Sequence, residues 1–167
     1  MKYEVRHATG NDVEFLPAIE QAASERFADT PFADETDQEC LTTEYLLERQ
    51  QDGMLWVAAL GDQVAGFAVA EFIGSDTHLH ELSVHPQHQR KGLGRRLVEA
   101  VIDRAKADRC VRVTLSTYRD IPWNAPFYRK LGFSEVTELT EPYREIIDGE
   151  SRRGPDVSQR IIMELSI

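Results

Sequence analysis

Two hydrophobic periods alternate along the 167-residue chain. Lys2 to His7, Leu55 to Leu60, Val64 to Phe72, Thr77 to Val84, Val111 to Thr117, Phe133 to Leu139 and Arg160 to Ile167 are short apolar runs that predict strands. Between them, Val13, Leu16, Ile19, Ala23 and Phe27 recur at helical spacing, as do Leu41, Tyr45 and Leu46. Leu93, Leu97, Val101, Ile102 and Ala105 make one face of a longer helix over Leu93 to Ala107. Thr9-Gly-Asn-Asp12 is a capping signal for the first helix, and Gly61-Asp62-Gln63 predicts the turn of an antiparallel hairpin. Pro86 stops the fourth strand because it has no N–H to donate. Pro122 is expected in the first turn of a short helix through Lys130, and Glu141 to Arg153 as a further amphipathic helix stopped by Gly154-Pro155. The resulting order, β-α-α-β-β-β-α-β-α-β-(α)-β, has no repeat and no linker, so a single α/β (α+β) domain over residues 1–167 is expected.

Composition narrows the function classes. Nineteen Lys plus Arg against 29 Asp plus Glu give a net charge of −10, a field that repels nucleic acid and anionic membranes. Cys40 and Cys110 form no CxxC pair, so reduced structural thiols are expected, with no metal site. The N-terminal stretch lacks a hydrophobic signal core and no run approaches the length of a membrane span, which places the chain in the cytoplasm as an expectation.

One segment departs from the acidic average. His80 to Val101 reads as a strand, a basic loop with Gly92 and Gly94, and a helix; Arg90, Lys91, Arg95 and Arg96 lie there without an acid from 85 to 96. Unpaired N–H groups and a positive dipole at a helix start favour a phosphate, and glycines admit it closely. The alternative from spacing alone is an ordinary tight strand-to-helix turn with a solvated basic first turn. Neither GxxxxGK[ST] nor a full GxGxxG after the first strand is present.

Gln89-Arg-Lys-Gly92-Leu-Gly94, the upstream Glu81-Leu82-Ser83-Val84-His85-Pro86, and Asn124-Ala-Pro-Phe127-Tyr128-Arg-Lys-Leu131-Gly132-Phe133 together resemble the signature elements of the GCN5-related N-acetyltransferases. The resemblance implies a mixed, mostly antiparallel sheet of six to seven strands, splayed between strands 4 and 5 and flanked by helices on both faces. It implies acetyl-CoA as acyl donor and an amine as acceptor. Backbone groups of Leu82, Ser83 and Val84 would pair with the pantetheine arm. N–H groups across Gln89, Arg90, Lys91, Gly92, Leu93, Gly94 and Arg95 would hold the pyrophosphate, and Asn124 and Phe127 would contact the cofactor. The family also leaves room for a homodimer.

The chemistry needs a base, because an alkylamine of pKa near ~10 is protonated at neutral pH. Glu81 is the first candidate; its alternative is a strand-edge carboxylate paired with a basic residue. His78 and His80 compete, and strand alternation puts both on the face opposite Glu81 unless a bulge intervenes. Some relatives carry a glutamate in the fifth strand, but Thr114 to Tyr118 contains no carboxylate. Tyr128 matches the family tyrosine that protonates the leaving thiolate; the alternative is a packed aromatic beside Phe127. The seven acids Asp29, Asp34, Glu35, Asp37, Glu39, Glu44 and Glu48, with no Lys or Arg between 29 and 48, suit either a cationic acceptor or a solvated face. Phe27, Phe32, Trp56, Tyr118 and Trp123 are candidate aromatic walls or core. Two other readings stay open: transfer of a different acyl group, and a CoA-binding or sensing module without catalysis.

Overall fold

A computed structural model describes residues 2–33, 40–151 and 159–167. Strands are β1 (Tyr3–His7), β2 (Leu55–Leu60), β3 (Gln63–Ile73), β4 (Asp76–Val84), β5 (Arg112–Tyr118), β6 (Ser134–Glu135) and β7 (Arg160–Ser166). Helices are α1 (Leu16–Ser24), α2 (Thr43–Gln51), α3 (Leu93–Ala107), α4 (Ala125–Lys130) and α5 (Glu141–Ser151). The fold divides into two compact units, Met1–Glu71 with His80–Arg104, and Phe72–Leu79 with Ala105–Ile167. The strands of the mixed sheet follow the hydrogen-bonded order β1-β2-β3-β4-β5-β7-β6, with β3 and β4 each contributing residues to both units.

In the first unit, β1, β2 and β3 are antiparallel neighbours, and the β2–β3 hairpin turns where the sequence places Gly61, at φ 59°. The register slips between Ala58 and Ala59, which pair with Gly66 and Val64, so Ala65 is the extra residue of a bulge. Its carbonyl accepts the N–H of His85 at 2.8 Å, joining the bulge to the end of β4. Val13, Leu16 and Ile19 pack with Leu46 of α2 and with Leu55, Val57, Phe67 and Val69 of the strands. Each such side chain contributes roughly 1.5–3 kcal/mol on burial. The Thr9 signal works through Asp12: its Oδ2 accepts the Thr9 N–H at 2.7 Å, and Arg6 donates to the same carboxylate at 2.7 Å. The first helical stretch is not one helix, however. Gly10–Phe15 and Glu25–Asp29 are tighter 3-10 turns flanking α1, and Pro17 sits in the first turn of α1, where its missing N–H is harmless.

In the second unit, β4 and β5 run parallel with Thr77, His78 and Leu79 opposite Val113, Thr114 and Leu115. Past the last of these pairs β4 runs on to Val84 and β5 to Tyr118. β7 lies antiparallel to β5 along Arg112 to Tyr118. A polar network fixes α5 to these strands: Tyr143 Oη donates to Asp76 Oδ2 at 2.6 Å, lies 3.0 Å from Thr114 Oγ1, and Arg112 Nε reaches Asp76 Oδ2 at 3.0 Å. Two expectations are corrected here. The short helix starts at Ala125 with Pro126 in its first turn, while Pro122 lies in the turn before it. The expected strand from Phe133 to Leu139 is paired only at Ser134–Glu135, because Phe133 belongs to the helix stop: Gly132 takes φ 102° and the Phe133 N–H closes onto the Tyr128 carbonyl at 3.1 Å.

Candidate functional site

The loop expected to hold an anion lies in the first unit. After Val84 the chain makes a single 3-10 turn at Pro86–His88, capped by His85, whose Nδ1 accepts the Gln87 N–H at 3.1 Å. Gln89 turns its side chain back, its Nε2 donating to the Val84 carbonyl at 3.1 Å and closing the loop onto the strand end. Arg90 and Gly92 then both adopt left-handed backbone, φ 62° and 76°, on either side of Lys91. Such alternation turns successive N–H groups into a concavity suited to an anion. Gly92 is needed for that φ rather than for room, since a Cβ there would meet nothing within 4 Å. α3 follows with no acid in its first turn, and Leu93, Leu97, Val98 and Val101 anchor it by burial. Arg90 also has a basic neighbour that the sequence did not flag: burial first, then the Arg90 charge, lowers the pKa of Arg26.

Glu81 belongs to the same unit. Ser83, itself buried, donates its hydroxyl to Glu81 Oε1 at 3.0 Å. Burial first, and then the charges of Glu20 and Glu81, push the Cys40 thiol up, and burial raises the Glu20 carboxyl against the Leu41 N–H it accepts at 2.9 Å. Glu81 thus shares an acidic neighbourhood with Glu20 at the entrance to α2. His80 lies beside Tyr45 of α2 as well, with ring centroids 5.4 Å apart. His78 is removed from the list of bases: it is buried in the second unit with Nδ1 2.9 Å from Thr114 Oγ1. Of the acidic run, Asp29, Glu44 and Glu48 are exposed, whereas Asp34, Glu35, Asp37 and Glu39 lie outside the described residues.

The second unit carries Asn124, Phe127 and Tyr128. Asn124 caps α4, and its Oδ1 accepts from Thr117 Oγ1 at 2.6 Å and from the Tyr118 N–H at 3.3 Å. The backbone donor fixes the orientation of the amide, which leaves Nδ2 as its donor group. Tyr128 is 8% exposed and packs edge-on with Phe127 and Phe133, at centroid distances of 5.0 and 5.8 Å. Among the candidate aromatic walls, Phe32, Trp56 and Tyr118 are buried core residues, and Arg160 lies over the Tyr118 ring at 4.5 Å. Phe27 and Trp123 are half-buried.

Residues 16–133 match the family model of the acetyltransferase (GNAT) family. The chain belongs to that family. Among its curated relatives, the [ribosomal protein bS18]-alanine N-acetyltransferase of Salmonella typhimurium is 33% identical over 76 residues, 46% of this chain and 51% of that protein. The counterpart of Escherichia coli K12 is 30% identical over 87 residues, 52% and 58% of the two chains. The chain therefore matches just over half the length of these relatives. In fold it is similar to the PaiA N-acetyltransferase of Thermoplasma acidophilum solved with coenzyme A, with TM-score 0.75 and 18% identity over 100% of both chains. The Escherichia coli ribosomal-protein-S18-alanine N-acetyltransferase superposes with TM-score 0.71 and 21% identity over 99% of this chain and 94% of that one. In this GNAT chain no described helix is long and apolar enough to cross a membrane. Among the described residues no group of His, Cys, Asp and Glu is arranged to hold a metal.

Proposed function

We propose that the protein transfers the acetyl group of acetyl-CoA to a primary amine by direct attack in a ternary complex. The observation that carries this reading is the left-handed turn at Arg90 and Gly92 that feeds the acid-free start of α3. It is a strongly anion-directed feature in a chain of charge −10. In this reading the N–H groups from Gln89 to Arg95 hold the pyrophosphate and backbone groups of Leu82, Ser83 and Val84 pair with pantetheine. Asn124, through Nδ2, and Phe127 contact the cofactor.

The amine enters as an ammonium, and Glu81 takes its first proton directly or through a water. Attack gives a tetrahedral adduct, whose oxygen a backbone N–H such as that of Leu82 stabilises. Collapse expels a thiolate that Tyr128 protonates. Exposed Asp29, Glu44 and Glu48 favour a cationic acceptor by their field. The relatives' names make a peptide amine beginning with alanine the first acceptor to test.

A panel of peptides, amino acids, polyamines and aminoglycosides, read by release of free CoA thiol, tests the proposal. Amine-dependent thiol release supports it. The burial of Tyr128 between two phenylalanines favours a second reading, a CoA-binding module in which that residue only packs. Binding of acetyl-CoA without thiol release across the panel would establish that alternative.

A further inference from the structure

Two histidines hold the loop between β4 and α3, each through its ring nitrogen Nδ1. His85 Nδ1 lies 3.1 Å from the Gln87 nitrogen, whose N–H can only donate, so Nδ1 is the bare acceptor and the ring proton is on Nε2. That contact caps the Pro86–His88 turn. The His85 N–H fastens the strand end to the Ala65 carbonyl at 2.8 Å, and its carbonyl accepts the His88 N–H at 2.8 Å. His88 is buried, with Nδ1 2.7 Å from Tyr3 Oη and its ring edge-on to that of His85 at a centroid distance of 6.1 Å. All of these residues share one unit with the left-handed turn at Arg90 and Gly92.

We propose that this loop is a proton-sensitive element: it keeps its capped turn only while His85 and His88 are neutral, so the protein binds acetyl-CoA more weakly at acid pH than at neutral pH. The inference rests on the acetyltransferase reading above, which assigns the cofactor's pyrophosphate to the N–H groups that follow this turn. With Nε2 occupied, a proton arriving on His85 has only Nδ1 to take it, and there it meets another donor, the Gln87 N–H. The cap is lost. A proton on His88 turns its Nδ1 into a donor, so Tyr3 must swing its own hydroxyl hydrogen away, and the charge is enclosed beside the His85 ring.

The groups facing the two rings are Tyr3 from β1, Arg96 of α3, which donates to the Tyr3 carbonyl at 3.2 Å, and Lys91 of the loop itself. None of these is an acid that would favour an imidazolium. Burial, then the charges of His85 and Lys91, lowers the His88 pKa, so the capped loop holds fewer protons than an open one. Its stability is complete above the ordinary imidazole pKa of about 6.5 and is lost as pH falls toward the depressed folded value. Protonation also brings positive charge to an anion site, which acts the other way but fades in salt. Loss of a cap does not fade, and it shifts a turn by roughly fivefold.

The test is calorimetry of acetyl-CoA binding from about pH 5.5 to about pH 8, in about 0.5 M salt. Wild type is compared with His85→Asn, which keeps a cap that does not titrate, and with the double variant His85→Asn, His88→Gln. A phosphate of the cofactor titrates near pH ~6 against every protein alike, so the readout is the ratio of Kd values. Wild type is expected to lose roughly fivefold more affinity on acidification than His85→Asn, with the double variant the least sensitive and all three alike at the alkaline end. Equal pH dependence in the three proteins overturns the proposal. Nitrogen NMR of the free wild type reads the turn itself, and it decides the matter if the variants do not fold. The His85 ring is expected with its proton on Nε2, and the Gln87 amide resonance should follow the titration of that ring. A ring with its proton on Nδ1, or an unmoved Gln87 amide, overturns the proposal whatever binds. A wild type that binds no acetyl-CoA at any pH overturns the cofactor reading, and the affinity claim with it.

Discussion

Tyr3 Oη and His88 Nδ1 meet at 2.7 Å, with the two rings edge-on at 84°, joining the first strand to the loop that leads into α3. The helix grips the same residue, since Arg96 donates to the Tyr3 carbonyl at 3.2 Å. Burial, then the charges of His85 and Lys91, lowers the His88 pKa, which favours the neutral ring. Tyr3 therefore ties the first strand both to the loop before α3 and to α3 itself.

Tyr3→Phe removes that hydrogen bond and little else. A bond of this kind is worth about 0.5–1.5 kcal/mol, so the acetyl-CoA KM is expected to rise roughly two- to tenfold with kcat preserved. Steady-state kinetics at saturating amine measures the split. A fall in kcat with an unchanged KM would show that Tyr3 acts elsewhere.

Gly66 lets the end of β4 lie close to β3. A Cβ there would stand 2.8 Å from the Ser83 carbonyl oxygen and 3.2 Å from the Val84 Cα, backbone atoms that cannot yield by a rotamer change. Gly66→Ala should cost about 1–3 kcal/mol by overpacking, a Tm loss of roughly 2–10 °C, and should weaken acetyl-CoA binding because the displaced backbone is the strand end assigned to pantetheine. Calorimetry of unfolding and of ligand binding reads both. A stable variant with unaltered binding would separate Gly66 from the cofactor.

Asp12 gives a pH prediction whose sign follows from its partners. Burial raises its carboxyl, but the Arg6 hydrogen bond, the Thr9 N–H and hydroxyl, and the Arg6 charge together outweigh burial and leave it depressed. A depressed carboxyl stabilises the fold above its unfolded pKa and loses that contribution as pH falls through its folded pKa. Asp12→Asn should therefore be less stable than wild type at pH 7, by about 1–2 kcal/mol from the lost cap alone. Denaturant melts repeated down the acid range should show the gap closing, and a gap independent of pH would contradict the assignment.

Tyr128→Phe keeps the packing with Phe127 and Phe133 and removes only the hydroxyl. The account expects kcat to fall at least tenfold with little change in acetyl-CoA affinity, about 1.4 kcal/mol or more of lost transition-state stabilisation. Equal kcat in the two proteins would leave Tyr128 as a packed aromatic.

Local signals were the ones the sequence carried well. The bounds of α3, the hairpin at Gly61 and the Thr9 cap depend on neighbouring residues, and the structure has them where periodicity and turn chemistry place them. β6 misled because Phe133 looks like the start of a strand, yet its N–H is used to close α4; the Val136 N–H still reaches the Ile162 carbonyl at 2.8 Å one residue beyond the paired Ser134–Glu135. The relationships that matter most for chemistry join residues far apart in the chain. Nothing near Tyr3 announces His88, and Tyr45, Glu71 and His80 become a cluster only when α2 is laid beside β3 and β4. Alternation sorts His78 and His80 onto one face of β4 and Glu81 onto the other, but only the fold shows that His78 is buried while His80 reaches Glu71.

The central claim is acetyl transfer from CoA to an amine. The most direct measurement follows isotopically labelled acetyl-CoA incubated with the protein and an acceptor peptide beginning with alanine, using a polyamine in parallel. The account predicts label in an amide of the acceptor, matched one for one by CoA thiol. Label that stays on bound CoA with every amine, or that passes to water alone, would contradict it.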